Sequence, residues 1–219
     1  MNKKATPKLI IIDCDGVLYD AAELDRNALI FAFNDTCKDL GHTYAKVNFI
    51  DDCTQDKPVK GIYNYINYVA SQIGIDSNSF IAKTVEHVDY SHIQPDKNGV
   101  LEYIKKLQKY FKVCICSNNH LMHVNKVLRA KFGITADKLP FEVFDMTYAQ
   151  ENGVFYQKES KVFITKLEKH FNIKAKDFIW IDDSQNVLEQ VKKFKSETFL
   201  ITETNRLIDV LNQLECMVI

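Results

Sequence analysis

Residues 9–12 (LIII) form a short, wholly apolar, β-branched run that gives way at once to polar residues. Such a run suits a strand buried on both faces of a parallel sheet. Four more runs of this kind follow: 111–116 (FKVCIC), 141–144 (FEVF), 178–181 (FIWI) and 198–201 (TFLI). Between them apolar residues recur at helical spacing: Val100, Leu101, Ile104 and Leu107; Leu121, Val124, Val127, Leu128 and Phe132, with Gly133 at the expected stop; Phe163, Leu167 and Phe171; and Val187, Leu188, Val191 and Phe194. Strand and helix alternate from about residue 98 onward, which predicts a doubly wound α/β domain.

The stretch from Asp20 to about His92 breaks this alternation with helical patterns and no strand. Leu24, Ala28, Phe31 and Ala32 share one helical face. Val59, Ile62, Ile66, Val69 and Ile73 share another that ends at Gly74, and Ser77 is a candidate cap for a third helix carrying Phe80, Ile81, Val85 and Val88. A helical subdomain is thus expected just after the first strand, occupying 20–93, with 1–19 and 94–219 forming the core. The return hinge is Gln94-Pro95-Asp96, since proline stops a preceding helix and Asp96 can cap the next.

Lysine and arginine (28) nearly balance aspartate and glutamate (29), so no global field draws the chain to a nucleic acid polymer or an anionic membrane. No apolar stretch approaches the roughly 20 residues of a membrane span. The opening MNKKATP leads straight into a strand-like run instead of a signal sequence, and a cytoplasmic location is expected. Of the six cysteines, Cys14, Cys114 and Cys116 sit in apolar runs and read as free, buried thiols. No C-x-x-C pair exists, and Cys114 and Cys116 would project to one face of a strand, which is no zinc pattern.

Ligands of open parallel sheets bind beyond the carboxyl ends of the strands. Those ends carry Asp13 and Asp15; Ser117, Asn118 and Asn119; and Asp182, Asp183 and Ser184, while Lys158 falls in the loop opening the next-to-last of these helices. Two carboxylates about 4 Å apart repel by roughly 4 kcal/mol even at an effective dielectric near 20, so four converging on one sheet edge need a positive partner. Oxygen-only ligands indicate magnesium rather than zinc. Magnesium beside a lysine makes a receptacle for a transferring phosphoryl group. Aspartate is the best-fitting nucleophile: a carboxylate is ionised at neutral pH, whereas Ser117 has no histidine at a suggestive position. Asp15 is placed to protonate the leaving oxygen and then activate water.

The apolar strand followed by Asp13-Cys14-Asp15-Gly16-Val17-Leu18, then Ser117, Lys158 and Asp182-Asp183 after Ile181, resembles the four motifs of the haloacid dehalogenase superfamily, in order and across nearly the whole chain. The resemblance implies a Rossmann-like core with a mobile helical cap of the subfamily I type. It also implies Asp13 as nucleophile and metal ligand, and Asp15 as general acid and base with its backbone carbonyl on magnesium. Ser117 and Lys158 would clamp the phosphoryl group, and Asp183 would bind metal with Asp182 beside it. Asp15 argues against a true dehalogenase, which has no leaving alkoxide to protonate. Many helical-cap members carry Lys-Pro at the third motif, whereas this chain reads Gln157-Lys158-Glu159-Ser160-Lys161; Lys158 lies nearer the loop and is preferred to Lys161, which is expected to face solvent.

Singly, each acidic residue reads as a helix cap or surface charge, and Ser117 as a turn residue; it is their joint occurrence that favours chemistry. Asn118 is equally a phosphate donor and ordinary loop chemistry. His120 and His123 read first as solvent-facing or capping residues, Tyr19 and Asp20 as hinge lining or a helix start, and Tyr63, Tyr65 and Tyr68 as packing or surface. The expected function is a magnesium-dependent phosphatase of a small phosphorylated metabolite, of the nucleoside monophosphate, sugar phosphate or phosphoglycolate class, working through an aspartyl phosphate. A phosphomutase on the same scaffold, or a regulatory binding protein with weak activity, are its rivals. A helical cap serves equally as a lid or as a dimer surface, so no oligomeric state follows.

Overall fold

The structure, a computed structural model, describes residues 8–20, 22–24, 28–41, 62–152 and 154–217. Five parallel strands make the central sheet: β1 (Leu9–Ile12), β2 (Lys112–Cys116), β3 (Glu142–Phe144), β6 (Phe178–Asp182) and β7 (Glu197–Leu200), in the order β3-β2-β1-β6-β7. These are the five runs expected, displaced by at most one residue at either end. β1 is central, and all four of its residues are buried because helices cover both faces.

Side chains alternate across the pleat, so β1 feeds two separate cores. Ile10 and Ile12 pack with α4 (Val100–Leu107), α5 (Leu121–Phe132) and α8 (Leu207–Cys216). Leu9 and Ile11 pack with Cys114, Cys116 and Trp180 against α6 (Lys161–Phe171) and α7 (Gln185–Lys192). Cys14, Cys37, Cys114 and Cys116 are buried free thiols, and the Sγ atoms of Cys114 and Cys116 lie 3.8 Å apart on one face. Among the described residues, no helix is long and apolar enough to cross a membrane.

Among the described residues, three helices precede α4: α1 (Ala28–Asp39), α2 (Ile62–Ile73) and α3 (Ser77–Glu86). They enclose a third apolar cluster of Phe33, Cys37, Ile66, Val69, Ala70, Phe80, Ile81 and Val85. Met146 and Phe155 join that cluster from the other side, Phe155 through a short antiparallel hairpin of β4 (Gln150–Glu151) and β5 (Val154–Phe155). The hairpin has two residues per strand, too few for any alternation to register in the sequence.

Three local expectations are corrected. α1 begins at Ala28, so Leu24 precedes it and faces the cavity described below instead of the helix's apolar stripe. Asp76, not Ser77, caps α3: its carboxylate accepts the Ser79 N–H at 2.9 Å, an ionised acceptor at the positive helix end, while Ser77 is already helical. Gly99 takes the cap position of α4, and Asp96 serves the helix from upstream by accepting the Leu101 N–H at 3.2 Å. Gly133 closes α5 as expected. Val59 and the side chains of Ile62, Tyr63 and Tyr65 lie outside the described residues, and Tyr68 is exposed.

Candidate active site

Chain order reverses direction across the sheet between β1, whose successors β2 and β3 lie to one side, and β6, followed by β7 on the other. The carboxyl ends of those two strands therefore open a crevice. Asp13 leaves β1 there and donates its own N–H to the Ile181 carbonyl at 2.9 Å, while Asp182 ends β6. A cavity of about 570 Å³ sits over this point, lined among others by Asp13, Asp15, Asn118, Lys158, Asp182 and Asp183.

Lys158 lies in the loop before α6, whose N-cap is Ser160. Its ammonium reaches back under the cavity, ion-paired with Asp13 Oδ1 and, at 2.8 Å, with Asp182 Oδ2, and the side chain is only 3% exposed. Burial would lower the lysine's proton affinity, but the charges of Asp13 and Asp182 override it and hold the ammonium well above its ordinary value. Lys161, the first residue of α6, is exposed.

Asp13, Asp182 and Asp183 each offer an oxygen, all within 4.8 Å of one another. Burial raises the Asp13 carboxyl well above its usual range; Lys158 opposes this, and Asp182 and Asp15 add to it. Asp183 is raised as well, by burial first and by the Asp182 charge next. Three crowded oxygen donors that resist ionising together form a receptacle a hard divalent cation fits. Such an ion would remove the repulsion that one buried lysine leaves in place.

Asp15 stands in a different environment, inside a cage of donors. Tyr19 Oη donates to its Oδ1 at 2.7 Å, and His123 Nε2 meets the same oxygen at 2.7 Å. Asn119 Nδ2 donates to Oδ2 at 2.6 Å and Ser117 Oγ to Oδ2 at 3.3 Å. Burial pushes the carboxyl up, but the His123 charge and this set of hydrogen bonds carry it below the ordinary carboxylate range.

Ser117 itself is fully buried behind Asp15, where its Oγ also accepts the Asn119 N–H at 3.0 Å. The Asn118 side chain clasps the next motif instead of pointing at the cavity centre. Its Oδ1 accepts the Lys158 N–H at 2.7 Å and its Nδ2 donates to Glu159 Oε2 at 3.3 Å. This clasp holds the Lys158 loop against the end of β2. His120 is a capping residue, its Nδ1 accepting the Met122 N–H at 3.2 Å.

His123 is not solvent-facing: it is 1% exposed and touches Asp15. Its sequence signal was its place four residues before Val127, on the buried stripe of α5. Tyr19 and Asn119 join the site through the same carboxylate; the sequence places Asn119 at the end of β2 and Tyr19 just past the first motif, but not their bonds to Asp15.

A search of curated proteins finds no match to this chain. Solved structures resemble it closely in fold but distantly in sequence. A haloacid dehalogenase family enzyme of Bacteroides thetaiotaomicron, in complex with magnesium and inorganic phosphate, superposes with a TM-score of 0.55 at 19% identity, covering 90% of this chain and 94% of that one. A mutant of CbbY from Rhodobacter sphaeroides in complex with xylulose-1,5-bisphosphate gives 0.60 at 16% identity, covering 92% and 91%. A predicted HAD-like family hydrolase of Porphyromonas gingivalis gives 0.62 at 16% identity, covering 96% and 98%. The family model for haloacid dehalogenase-like hydrolases matches residues 7–193, from the start of β1 to the end of α7. With that match over most of its length, and with the sheet and the motif residues so arranged, the chain belongs to the haloacid dehalogenase-like hydrolases.

Proposed function

We propose that this protein is a magnesium-dependent phosphatase that hydrolyses a small phosphomonoester through an aspartyl phosphate on Asp13. The observation that carries the reading is the pairing of Lys158 with both Asp13 and Asp182 beside the third carboxylate, Asp183. A dianionic phosphoryl group needs such positive charge at its oxygens, and the same charge opposes the burial that raises the Asp13 carboxyl. Magnesium bound by Asp13, Asp183 and the Asp15 carbonyl, with Asp182 alongside, would neutralise charge on the transferring group. Neighbours in fold crystallised with magnesium and phosphate, or with a sugar bisphosphate, support that chemistry.

In the first half-reaction an Asp13 oxygen attacks phosphorus. The bond to the leaving oxygen breaks, and Asp15 delivers a proton to the alkoxide. Incoming phosphate charge raises the proton affinity of Asp15, whose resting state otherwise suits a base. Lys158 holds phosphoryl oxygens, the Ser117 hydroxyl would turn from Asp15 to join it once a phosphoryl group is bound, and Asn118 adds a backbone N–H while its side chain fixes the loop. In the second half-reaction Asp15 takes a proton from water as the water oxygen attacks phosphorus. The bond from phosphorus to Asp13 then breaks, releasing phosphate.

The reading assigns 20–93 to a cap and 1–19 with 94–219 to the core, and Leu24 and Ala28 from the cap side line the cavity. The substrate is of the nucleoside monophosphate, sugar phosphate or phosphoglycolate class, at home in a cavity of this size. Buried free thiols fit a reducing, cytoplasmic setting. The test is phosphate release from a panel of such esters, with magnesium and with chelator. Magnesium-dependent release into water is expected; transfer to a second hydroxyl without release would identify a phosphomutase, and silence across the panel would contradict the reading.

A further inference from the structure

We infer that His123, oriented by Tyr90, is the positioning residue that aims the Asp15 carboxyl for proton transfer. The inference rests on the phosphatase reading above.

The imidazole is 1% exposed, and both its nitrogens are engaged. Nε2 lies 2.7 Å from Asp15 Oδ1 and Nδ1 lies 2.8 Å from Tyr90 Oη, with the two rings 5.4 Å apart between centroids and tilted by 58°. The ionised Asp15 carboxyl only accepts, so it calls for a proton on His123 Nε2, and Tyr90 can serve Nδ1 in either state of the ring. If the ring is neutral, the tyrosine hydroxyl donates to Nδ1 and leaves the proton on Nε2. If it is protonated, the tyrosine oxygen accepts from Nδ1–H and Nε2 again carries a proton. In either state an N–H points at Asp15, and the carboxyl cannot rotate without breaking that bond.

A buried imidazole partnered at both ends is well ordered, since rotating the ring would orphan two polar atoms at once. Tyr19, donating to the same Oδ1, and Asn119, donating to Oδ2, complete a cage that fixes both carboxyl oxygens. Asp15 itself lies on the loop after β1, where side-chain torsions would otherwise be free to vary. The anchor is also tied to the helical layer: Tyr90 follows α3 and packs against both the core cluster of α4 and α5 and the cluster enclosed by α1, α2 and α3. The aim of Asp15 is therefore coupled to how that layer sits on the sheet.

A group that aims the proton donor matters most when the leaving group needs the proton. The test compares kcat/KM, which reports the phosphorylation half-reaction, on an alkyl phosphate and on p-nitrophenyl phosphate, whose leaving group departs without help. His123→Ala is expected to lower the alkyl value by about 100-fold and the aryl value by less than about 5-fold. His123→Gln, which keeps an N–H near the Nε2 position, restores at least ~10-fold of the alkyl loss, and Tyr90→Phe gives an intermediate loss with the same selectivity.

Equal losses on both esters accompanied by a lowered melting temperature would overturn the inference and leave His123 a packing residue, as would no loss on either. A second measurement needs no turnover: in ¹⁵N spectra of the folded protein, Asp15→Asn should shift the His123 Nε2 resonance and Tyr90→Phe that of Nδ1. Unmoved resonances overturn the His123 assignment. Wild-type protein inactive on both esters while those shifts appear would overturn the phosphatase reading and, with it, the proton-transfer role.

Discussion

Gly16 lies directly beneath the Asp183 carboxylate: a Cβ placed on it would come 2.2 Å from Asp183 Oδ2. The glycine also has φ +71°, a conformation that costs other residues about 1 kcal/mol or more. The turn after Asp15 and the position of the third carboxylate are thus one feature. Gly16→Ala should push Asp183 out of the cluster, cutting magnesium-dependent turnover by about 100-fold while lowering stability by only about 1 to 2 kcal/mol. Kinetics with a magnesium titration checks it, and an alanine variant with unchanged magnesium dependence would contradict it.

Lys158 is the buried counter-charge for Asp13 and Asp182. Removing one member of a buried ion cluster leaves the others uncompensated, at about 3 to 5 kcal/mol. Lys158→Met should therefore lower stability by about that amount in chelator and abolish turnover, and magnesium should recover part of the stability but none of the activity. Lys161→Ala, on the exposed side of α6, should change stability by less than about 0.5 kcal/mol and leave turnover intact. Paired denaturant melts and assays separate the two lysines.

Asn118 acts as a clasp more than as a ligand. Its loss in Asn118→Ala frees the Lys158 N–H and Glu159 together, a cost of about 1 to 2 kcal/mol. Because the backbone carrying Lys158 then moves, kcat should fall about 10-fold or more with KM changed little. A variant that raised KM alone would instead make the side chain a direct substrate contact.

Stability should respond to magnesium in a pH-dependent way. Burial, with Asp182 beside it, raises Asp183, and burial raises Asp13 against the pull of Lys158. A carboxyl raised in the folded state contributes stability that is complete below its unfolded value and lost as pH rises through its folded value. Asp15 is lowered, so its contribution is complete above its unfolded value and disappears only in strong acid, below the range tested. As pH rises above the ordinary carboxylate range the chelated protein therefore loses the Asp13 and Asp183 contributions, and a cation that binds the ionised forms opposes that loss. The gain in Tm on adding magnesium should be larger at pH 8 than at pH 5, and wherever magnesium stands at 100 times Kd the gain in unfolding free energy is about 2.7 kcal/mol. Equal gains at both pH values would show that these carboxylates do not hold the ion.

The three central strands were legible because they are buried on both faces over nearly all their length. LIII, FKVCIC and FIWI are apolar without alternation, and few other structures need that pattern. The polar residues at their ends followed from where α/β sheets bind ligands, and the structure does bring Asp13, Asp15, Lys158, Asp182 and Asp183 together around one cavity. The cage around Asp15 was not legible, because its members are tied to the carboxylate by tertiary contacts. His123 arrives from the first turn of a helix, and Tyr90 reaches it across 33 positions. The hairpin of β4 and β5 was missed for a different reason, since its strands are too short to carry a period.

The most direct test of the central claim is chemical: quench Asp15→Asn in acid during reaction with magnesium and p-nitrophenyl phosphate, whose leaving group needs no proton, then map the phosphoryl group by mass spectrometry. Without the base that activates water, the phosphoenzyme should accumulate, with the modification on Asp13 and lost in the Asp13→Asn, Asp15→Asn double variant. A phosphoryl group on Ser117 or on another residue, or none under conditions where wild type turns over, would contradict Asp13 as the nucleophile.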